Sequence, residues 1–401
     1  MSDAARPLRA VEPLHAIDDR DVEDAWKSGL FGRAEHALAA GGWQAGSSGG
    51  FPRVYVVADH AGLGGSEVML LRIASVLREL GADVTAVVPD PSPVLIAAVR
   101  EGLSVIALPA RHPATWAWAL RRWDRTRPPG LLWCNGLTPS AATLGRRDRL
   151  VHLHRRPSGL RGLVATLARR GAVATLVPSC AMLEAAPGAV VLPNWTDRMR
   201  RANPHPDEDG RIRIGFLGPL GLDSGVHVLA EAVEWLEDCM PGRYRLVLAG
   251  EPVGVPEEDL ALMEEALGPV AHLTHRTGWV DTAALFDGID LLVVPSVVDE
   301  AFGLVATEAM AARVPLIVSD AGALPEVVGP RGEIVPAADP IALAERIADL
   351  TAGSATAKRG PLFERWFAEY SPGAGAARMH ALVDALGVRT RDPMRSVPRP
   401  R

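Results

Sequence analysis

From residue 53 onward, the chain alternates short apolar runs with longer segments of helical pattern. The runs VYVVA at 54–58 and DVTAVV at 83–88 are typical of buried strands, and the stretch from Gly65 to Gly81 between them predicts a helix. Five further apolar runs predict strands at residues 105–108, 131–134, 150–153, 175–177 and 190–192. Continuous apolar strands separated by helices indicate a parallel sheet that is covered on both faces.

The pattern stops at residues 198–210, a charged segment with two prolines that reads as an interdomain linker, and then begins again. The second series of strands is predicted at RIGFLG, YRLVLAG, AHLTHRTGW, GIDLLVVPS and VPLIVSD. We therefore expect an α/β protein with two Rossmann-like doubly wound domains that face each other across a cleft. Ligands of such sheets bind beyond the carboxyl ends of the strands.

These boundaries predict a first domain at 51–197, which the final helix at 376–387 rejoins, and a second domain at 210–372. Residues 1–50 end in the glycine- and serine-rich stretch GGWQAGSSGGF, so we expect them to form a flexible appendage. The total of 401 residues suits two domains of ordinary size.

Charge adds one local feature to this picture. The chain has 42 Lys and Arg against 48 Asp and Glu, a net charge of −6, which argues against a nucleic-acid-binding function. Residues 111–170 nevertheless contain thirteen arginines and two aspartates. This basic block suits an anionic substrate or surface, although solvated helix faces would have the same composition.

Three scattered cysteines without a CxxC spacing indicate neither disulfides nor a zinc site, and we expect no metal and no cofactor. No apolar run reaches the roughly 18 to 20 residues that span a bilayer, and the start of the chain lacks a signal-peptide pattern. We therefore expect a cytoplasmic protein without stable membrane insertion. The tryptophan-rich segment 114–125, ATWAWALRRWDR, leaves peripheral membrane contact open, with a core-packed helix as the alternative.

The candidate chemistry lies between residues 296 and 308. A strand ends at Ser296 and a helix is predicted to begin near Gly303, so that its free amide groups suit a phosphate group. Glu300 precedes this helix and Glu308 lies within it, and both carboxylates accept hydrogen bonds from hydroxyl groups. The spacing alone describes a solvated helix face equally well.

The string EAFGLVATEAMAARVPLIVSDAGALPEVVG, residues 300–329, resembles the donor-binding segment of retaining GT-B glycosyltransferases, in particular family 4. Residues 64–88 resemble the first glycine loop and helix of that family, and residues 177–197 its last N-domain strands. The resemblance covers most of residues 53–387.

The resemblance implies a GT-B fold and metal-independent transfer, with retention, of a sugar from an activated donor, expected to be a nucleotide-diphosphate sugar. We expect a small polar acceptor of specialised metabolism, because no anchor or polymer-binding module is evident in the sequence, and a lipid acceptor is the alternative. Glu300 would bind the sugar and Glu308 a nucleotide ribose. The donor would also meet the amides of Phe302, Gly303, Leu304 and Val305, and a base pocket at 278–281 that includes Trp279 and Val280.

On the acceptor side, the family has a histidine at the end of an N-domain strand, facing the reacting centre. The segment VHLHRRP offers His152 and His154, and we favour His154 because it lies nearer the carboxyl end of the strand. Acceptor contacts are expected at the glycine loop, from Gly64, Gly65, Ser66 and Glu67.

One departure concerns the donor diphosphate, which the family holds with an arginine and a lysine. Pro219 and Ser224 occupy these positions here, so Gly218 and Ser224 would contact the phosphates without a cation. Three explanations stay open: another arginine substitutes, the donor is a phosphosugar, or the protein binds without turnover. The substitutes considered are Arg155, Arg156 and Arg276.

Two further departures replace glycines that are usual in the family. Arg313 follows the helix that contains Glu308, and Trp195 follows Asn194 at the linker. We expect Trp195 to narrow the cleft.

Overall fold

A computed structural model describes residues 53–199, 210–352 and 359–386. The expected appendage at 1–50 and most of the expected linker lie outside the described residues. The described chain forms two parallel sheets with helices on both faces, which confirms the predicted fold class.

The first sheet has the strand order β3-β2-β1-β4-β5-β6-β7, and its paired strands are parallel. The order reverses between β1 and β4. Its strands are β1 (Arg53–Ala58), β2 (Asp83–Asp90), β3 (Ser104–Pro109), β4 (Leu131–Asn135), β5 (Arg149–His152), β6 (Ala174–Val177) and β7 (Val190–Val191). The helices of this part are α1 (Gly65–Glu79), α2 (Pro93–Arg100), α3 (Pro113–Asp124), α4 (Leu137–Ala142) and α5 (Gly159–Arg169).

The second sheet has the order β10-β9-β8-β11-β12-β13, again parallel, and reverses between β8 and β11. Its strands are β8 (Ile212–Leu217), β9 (Tyr244–Ala249), β10 (Thr274–Gly278), β11 (Leu291–Val294), β12 (Leu316–Ser319) and β13 (Glu333–Val335). The helices from here to the end are α6 (Val226–Cys239), α7 (Glu257–Leu267), α8 (Thr282–Asp287), α9 (Leu304–Ala312), α10 (Leu324–Val328), α11 (Pro340–Ala352), α12 (Arg359–Arg365) and α13 (Pro372–Ala385).

Alternation along β1 explains why helices cover both faces of the first sheet. Val54 and Val56 point into a core that includes residues of α1 and α13, whereas Tyr55 and Val57 point into a second core formed with α3. Successive strand residues face opposite sides, so an entirely apolar strand needs a partner layer on each side.

The last helix, α13, packs on the first sheet, where Met379 and Leu382 join the core that contains β1. Trp195 is part of the same core, and a β-carbon at Gly375 would lie only 2.3 Å from its ring. The expectation that Trp195 narrows the cleft is therefore wrong, because its indole is buried against α13.

The tryptophan-rich segment forms α3, and two of its three tryptophans, Trp116 and Trp123, pack in the core. Trp116 is buried and its Nε1 donates to the Ala58 carbonyl at 3.2 Å, while Trp123 packs edge-to-face on Tyr55. Trp118 is exposed, beneath the Arg122 guanidinium. Of the helices that the structure describes, none combines the length and apolar character required to cross a membrane.

Arg313 ends α9 in the left-handed region, with φ of +58°, which explains why a glycine suits this position. Its guanidinium lies 3.9 Å from the centre of the Phe363 ring. Stacking on the aromatic face offsets part of the backbone strain that a side chain incurs here.

Candidate functional site

The reversal points of the two sheets meet at the domain boundary. In the first sheet, β1, β4 and β5 end beside the reversal point; in the second, β8 and β11 do. Contact across the boundary is close, because a β-carbon on Gly65 would lie 2.8 Å from Leu304 Cδ1. The candidate site therefore lies between the carboxyl ends of two parallel sheets, where doubly wound folds bind ligands.

Glu300 is held rigidly in the loop after β11. Its Oε1 accepts a hydrogen bond from Ser296 Oγ at 3.0 Å, and its backbone carbonyl accepts from Ala323 N at 2.9 Å. Burial raises the pKa of Glu300, while the Ser296 hydroxyl and the charge of Arg155 oppose that shift. Arg155 belongs to the first domain, so its effect on Glu300 acts across the boundary.

The turn into α9 depends on Gly303. Its φ is +88°, and a β-carbon there would lie 2.5 Å from Leu324 Cδ2, so a side chain would be strained and would clash. Phe302 is buried against Tyr370, and α9 begins at Leu304. The amides at the start of α9, including that of Val305, are those that suit an anion or a sugar oxygen.

Glu308 lies one turn into α9 and is partly buried. Burial raises its pKa to about 7, while the charge of Arg72 lowers it and that of Asp197 raises it further. The carboxyl group is therefore close to half ionised at neutral pH. Such a group switches between accepting and donating hydrogen bonds within the physiological pH range.

Close backbone contacts on two sides fix the position of the loop after β8. Gly225 packs so closely on the Pro295 carbonyl that a β-carbon would lie 1.9 Å from its oxygen, and Gly250 approaches the Gly218 carbonyl equally closely. Asp223 accepts a backbone hydrogen bond from Val297. The Ser224 hydroxyl has no partner among the described residues, so it is free to donate to a ligand.

The two residues of the expected base pocket, Trp279 and Val280, lie in different environments. Trp279 is 54% exposed and presents its indole to solvent beside the β9–β10 edge, whereas Val280 packs toward the core and lines a separate cavity with Thr277 and Ala284. Consecutive residues face opposite ways here, which leaves Trp279 as the side chain available for stacking.

Arg276 was expected as a substitute cation, and the structure does not support that role. Both terminal nitrogens of Arg276 donate to Glu264 of α7, at 2.7 and 2.6 Å. This bidentate pair lowers the pKa of Glu264 and neutralises the arginine on the outer edge of the sheet.

His154 is oriented by Asn135, a residue that the sequence did not single out. Asn135 Nδ2 donates to the Ser66 carbonyl at 2.7 Å, and its Oδ1 lies 2.7 Å from His154 Nε2. Because the Ser66 carbonyl only accepts, the Asn135 oxygen must face His154, and His154 Nε2 must carry the proton. Burial lowers the pKa of His154 to about 3, so the ring is neutral and Nδ1 is an acceptor.

His152 lies behind His154, with ring centres 3.9 Å apart. It is fully buried, and its Nδ1 faces Trp133 Nε1 at 3.4 Å. Of these two histidines, only His154 lines the first-domain cavity, and its contact with a substrate stays a prediction.

The four residues of the glycine loop occupy different environments. Gly64 precedes α1 and Gly65 begins it; both are exposed, Gly65 faces Leu304, and Ser66 lines the first-domain cavity. Glu67 is fully buried, does not line that cavity, and lies with Oε2 3.2 Å from His60 Nε2. Glu67 is thus connected to the cavity through two lining residues, His60 and Ser66, whose hydroxyl donates to Glu67 Oε2 at 2.7 Å.

The first-domain cavity has a volume of about 590 Å³ and a basic wall. Arg111, Arg155 and Arg161 line it, and none of them has an acidic partner within the described ranges. The lining acid, Asp59, accepts from Thr138 N at 2.7 Å. Anionic ligands are therefore favoured over cationic ones.

Three contacts hold the domains together near the site. The Glu326 carboxylate of α10 accepts from the amides of Cys180 and Ala181 at 2.9 and 3.1 Å. The Ser179 hydroxyl donates to the Ala301 carbonyl at 2.7 Å. Arg156, another expected substitute cation, instead bridges Asp299 at 2.9 Å and Glu184, so its charge is already compensated.

Residues 211–352 match the family model described as glycosyl transferases group 1. Two curated relatives are the MMP alpha-(1->4)-mannosyltransferase of Mycolicibacterium hassiacum, 36% identical over 128 residues, and the phosphatidyl-myo-inositol mannosyltransferase of Mycobacterium leprae, 33% identical over 172 residues. The first alignment covers 31% of this chain and 30% of the relative; the second covers 40% and 44%.

A D-inositol 3-phosphate glycosyltransferase of Corynebacterium diphtheriae is 31% identical over 148 residues, which are 34% of each chain. The chain thus spans between about a third and less than half of the length of these curated relatives. The family match identifies the second domain as a glycosyltransferase domain.

Two solved structures extend the likeness to both domains. Anabaena HepE in complex with UDP and glucose has a TM-score of 0.70 at 16% identity, over 83% of this chain and 99% of that one. Sucrose-phosphate synthase from Thermosynechococcus elongatus has a TM-score of 0.69 at 20% identity, over 84% and 99%. The fold is therefore GT-B.

Proposed function

We propose that this protein is a retaining, metal-independent glycosyltransferase of family 4, with a nucleotide-diphosphate sugar in the second domain and an acceptor in the first-domain cavity. The observation that carries the proposal is the position of Glu300. Its carboxylate is oriented by Ser296 beside the start of α9, and it senses the charge of Arg155 from the opposite domain.

The donor would lie along α9. Glu300 accepts hydrogen bonds from the sugar, the amides of residues 302–305 bind the sugar and phosphate, and Glu308 binds the ribose. Trp279 offers an exposed indole on which a base can stack. A nucleotide donor is further supported by the solved structures of Anabaena HepE, which contain UDP or UDP-glucose.

Arg155 is the proposed replacement for the missing phosphate cations. Arg156 and Arg276 are engaged with carboxylates, whereas Arg155 has no hydrogen-bond or ion-pair partner in the described part of the chain. The charge of Arg155 lowers the pKa of Glu300, so the two side chains interact electrostatically across the domain boundary. With the Ser224 hydroxyl, Arg155 would stabilise the charge that develops on the departing phosphate.

In the proposed mechanism, the departing phosphate oxygen takes the proton of the acceptor hydroxyl as that hydroxyl attacks the anomeric carbon on the same face. No side chain is assigned as nucleophile. His154, neutral and oriented by Asn135, lines the first-domain cavity and would contact the sugar near the anomeric centre, and Glu300 holds the sugar ring. Positioning and fixed dipoles supply the rate enhancement.

For the acceptor, we propose a polar molecule with an anionic group. Arg111 and Arg161 of the cavity wall, which have no acidic partner in the part of the chain that the structure describes, support this class. The inositol phosphate in the name of the Corynebacterium diphtheriae relative is consistent with it.

A thermal-shift screen with nucleoside diphosphates, nucleotide sugars and phosphosugars tests the donor, because a ligand that binds only the native state raises its apparent stability. We expect a shift with a nucleoside diphosphate and its sugar. A shift with phosphosugars alone would refute the nucleotide assignment. Glu300→Ala should abolish transfer. If the unmodified protein bound a nucleotide sugar but transferred the sugar to none of the acceptors offered, it would be a binding protein and not an enzyme.

A further inference from the structure

The helix α5 presents its larger apolar side chains to solvent. Leu160, Leu163, Val164 and Leu167 are 81%, 65%, 41% and 45% exposed, and their spacing of three, one and three residues places them on one helical face. The face that packs on the domain contributes only small residues to the buried set, Ala165 and Ala168. This distribution is the reverse of that in an ordinary surface helix, whose leucines face the core.

Positive charge borders this apolar row. Leu160 and Val164 line the first-domain cavity together with Arg111, Arg155 and Arg161, whose guanidinium groups lack acidic partners in the described residues. Across residues 137–183, which surround α5, the sequence has eight arginines and one acid, Asp148. The row is therefore an apolar strip with a basic margin at the mouth of the cavity.

We infer that α5 docks the protein on an anionic lipid bilayer. A helix of this kind lies in the plane of the interface, with its apolar face among the acyl chains and arginines at the headgroup phosphates. The eleven residues of α5 span roughly 16 Å, enough to place all four apolar side chains at the same depth.

A second copy of the chain suits this face less well than a bilayer. A symmetric dimer would bring the same patch onto itself, so the basic margin of one copy would meet that of the other. Docking on a bilayer also brings the cavity mouth to the lipid surface, where an acceptor headgroup is presented. The docking does not depend on the proposed transferase activity.

Flotation of the full-length protein with vesicles tests the proposal. We expect flotation with vesicles of equal parts phosphatidylglycerol and phosphatidylcholine, and not with phosphatidylcholine alone. The double variant Leu163→Gln/Leu167→Gln, which leaves the cavity wall intact, should reduce partitioning by about tenfold or more, because each substitution replaces an apolar side chain in the acyl region.

The matched control is Ile96→Gln/Leu262→Gln, which removes two equally exposed apolar side chains from α2 and α7. Equal flotation of the two double variants, or no flotation of the unmodified protein, would overturn the proposal. If the unmodified protein floated equally well with neutral and with anionic vesicles, the preference for anionic lipid would be refuted. Sedimentation velocity adds a further check: loss of a dimer in the α5 variant, without vesicle binding, would assign the face to a second copy. Glu300→Ala should float normally, so failure of transfer and failure of docking are distinguishable.

Discussion

Asn135 Oδ1 lies 2.7 Å from His154 Nε2, and this contact sets the protonation of the histidine that faces the first-domain cavity. The same amide donates to the Ser66 carbonyl, so one buried side chain connects the end of β4, the start of α1 and the segment after β5. Such a polar network is stable only when each member has its partner.

Replacement of Asn135 by alanine should therefore destabilise the fold. The change leaves the buried ring N–H of His154 without its acceptor and removes the amide that donates to the Ser66 carbonyl, and we expect a loss of about 1–3 kcal/mol in the free energy of unfolding, measured in urea. Thr166→Ala removes a hydroxyl that donates to Gly162 O on the exposed side of α5, and should change stability by less than about 0.5 kcal/mol. Equal effects of the two substitutions would contradict the network.

The raised pKa of Glu308 predicts pH-dependent donor binding. The ionised carboxylate accepts hydrogen bonds from ribose hydroxyls, and with a pKa of about 7 the ionised fraction falls as the pH is lowered. The dissociation constant for UDP should rise by about tenfold between pH 8 and pH 6, measured by titration calorimetry. Glu308→Gln should bind more weakly at pH 8 and lose this pH dependence; a variant that retains the wild-type profile would show that another group titrates.

In the absence of ligand, Glu308 also affects the stability of the fold, and this effect has the opposite pH dependence to its effect on donor binding. Because the folded-state pKa of Glu308 is above its ordinary value of 4.5, the folded protein binds more protons than the unfolded chain between pH 4.5 and 7. Its contribution to stability is fully present below that window and is lost as the pH rises through it. Comparison of the unmodified protein with Glu308→Gln across this range isolates the effect.

Arg155→Gln tests the proposed phosphate contact. Loss of a charge-assisted bond to the departing diphosphate should lower kcat/KM by about 10- to 100-fold, mainly through kcat. Arg147→Gln removes another exposed arginine of the basic block that does not line the cavity, and should leave transfer unchanged. A similar loss in both variants would mean that only the general positive field matters.

Gly303→Ala should disrupt the turn into α9. Position 303 has a positive φ and a β-carbon there would meet Leu324 at 2.5 Å. Gly254, with φ of +66° and no atom within 4 Å of a β-carbon, provides the matched control. Gly254→Ala should cost about 1 kcal/mol in the free energy of unfolding from backbone strain alone, and Gly303→Ala more. Indistinguishable unfolding midpoints for the two variants would show that the loop relaxes around the clash.

Glu326→Gln should weaken the contact between the domains. The Glu326 carboxylate accepts one hydrogen bond from each of two backbone amides across the domain boundary. A glutamine has only one side-chain oxygen, so its NH₂ group would face one of these amide N–H groups, and two donors cannot form a hydrogen bond. We expect a larger radius of gyration in solution scattering. Glu257→Gln, on the exposed start of α7, should leave the radius unchanged.

Much of the architecture was determined by the sequence alone, because buried parallel strands require continuous apolar runs. The long runs that end at Ala58 and Val294 predicted their strands correctly, and the fresh start after the linker predicted a second sheet. The strand β13 was missed, since EIV is only three residues long and two of them are half-buried.

Some of the candidate site residues were recognisable from the sequence, and others were not. Glu300, Gly303 and Glu308 were recognisable from their string, because local backbone geometry places them around one helix start. Asn135 carried no local signal, since its role arises from partners 69 and 19 residues away in the chain.

Tertiary packing also decided which of several similar side chains is available. Arg155, Arg156 and Arg276 are equivalent in the sequence, yet among the described residues Arg156 and Arg276 have carboxylate partners and Arg155 has none. Likewise, the tryptophans of α3 drew attention to an interfacial role, but most of them fill the core, and the exposed apolar row belongs to α5. A sequence determines which segments must be buried, whereas only packing determines which charges and faces stay free.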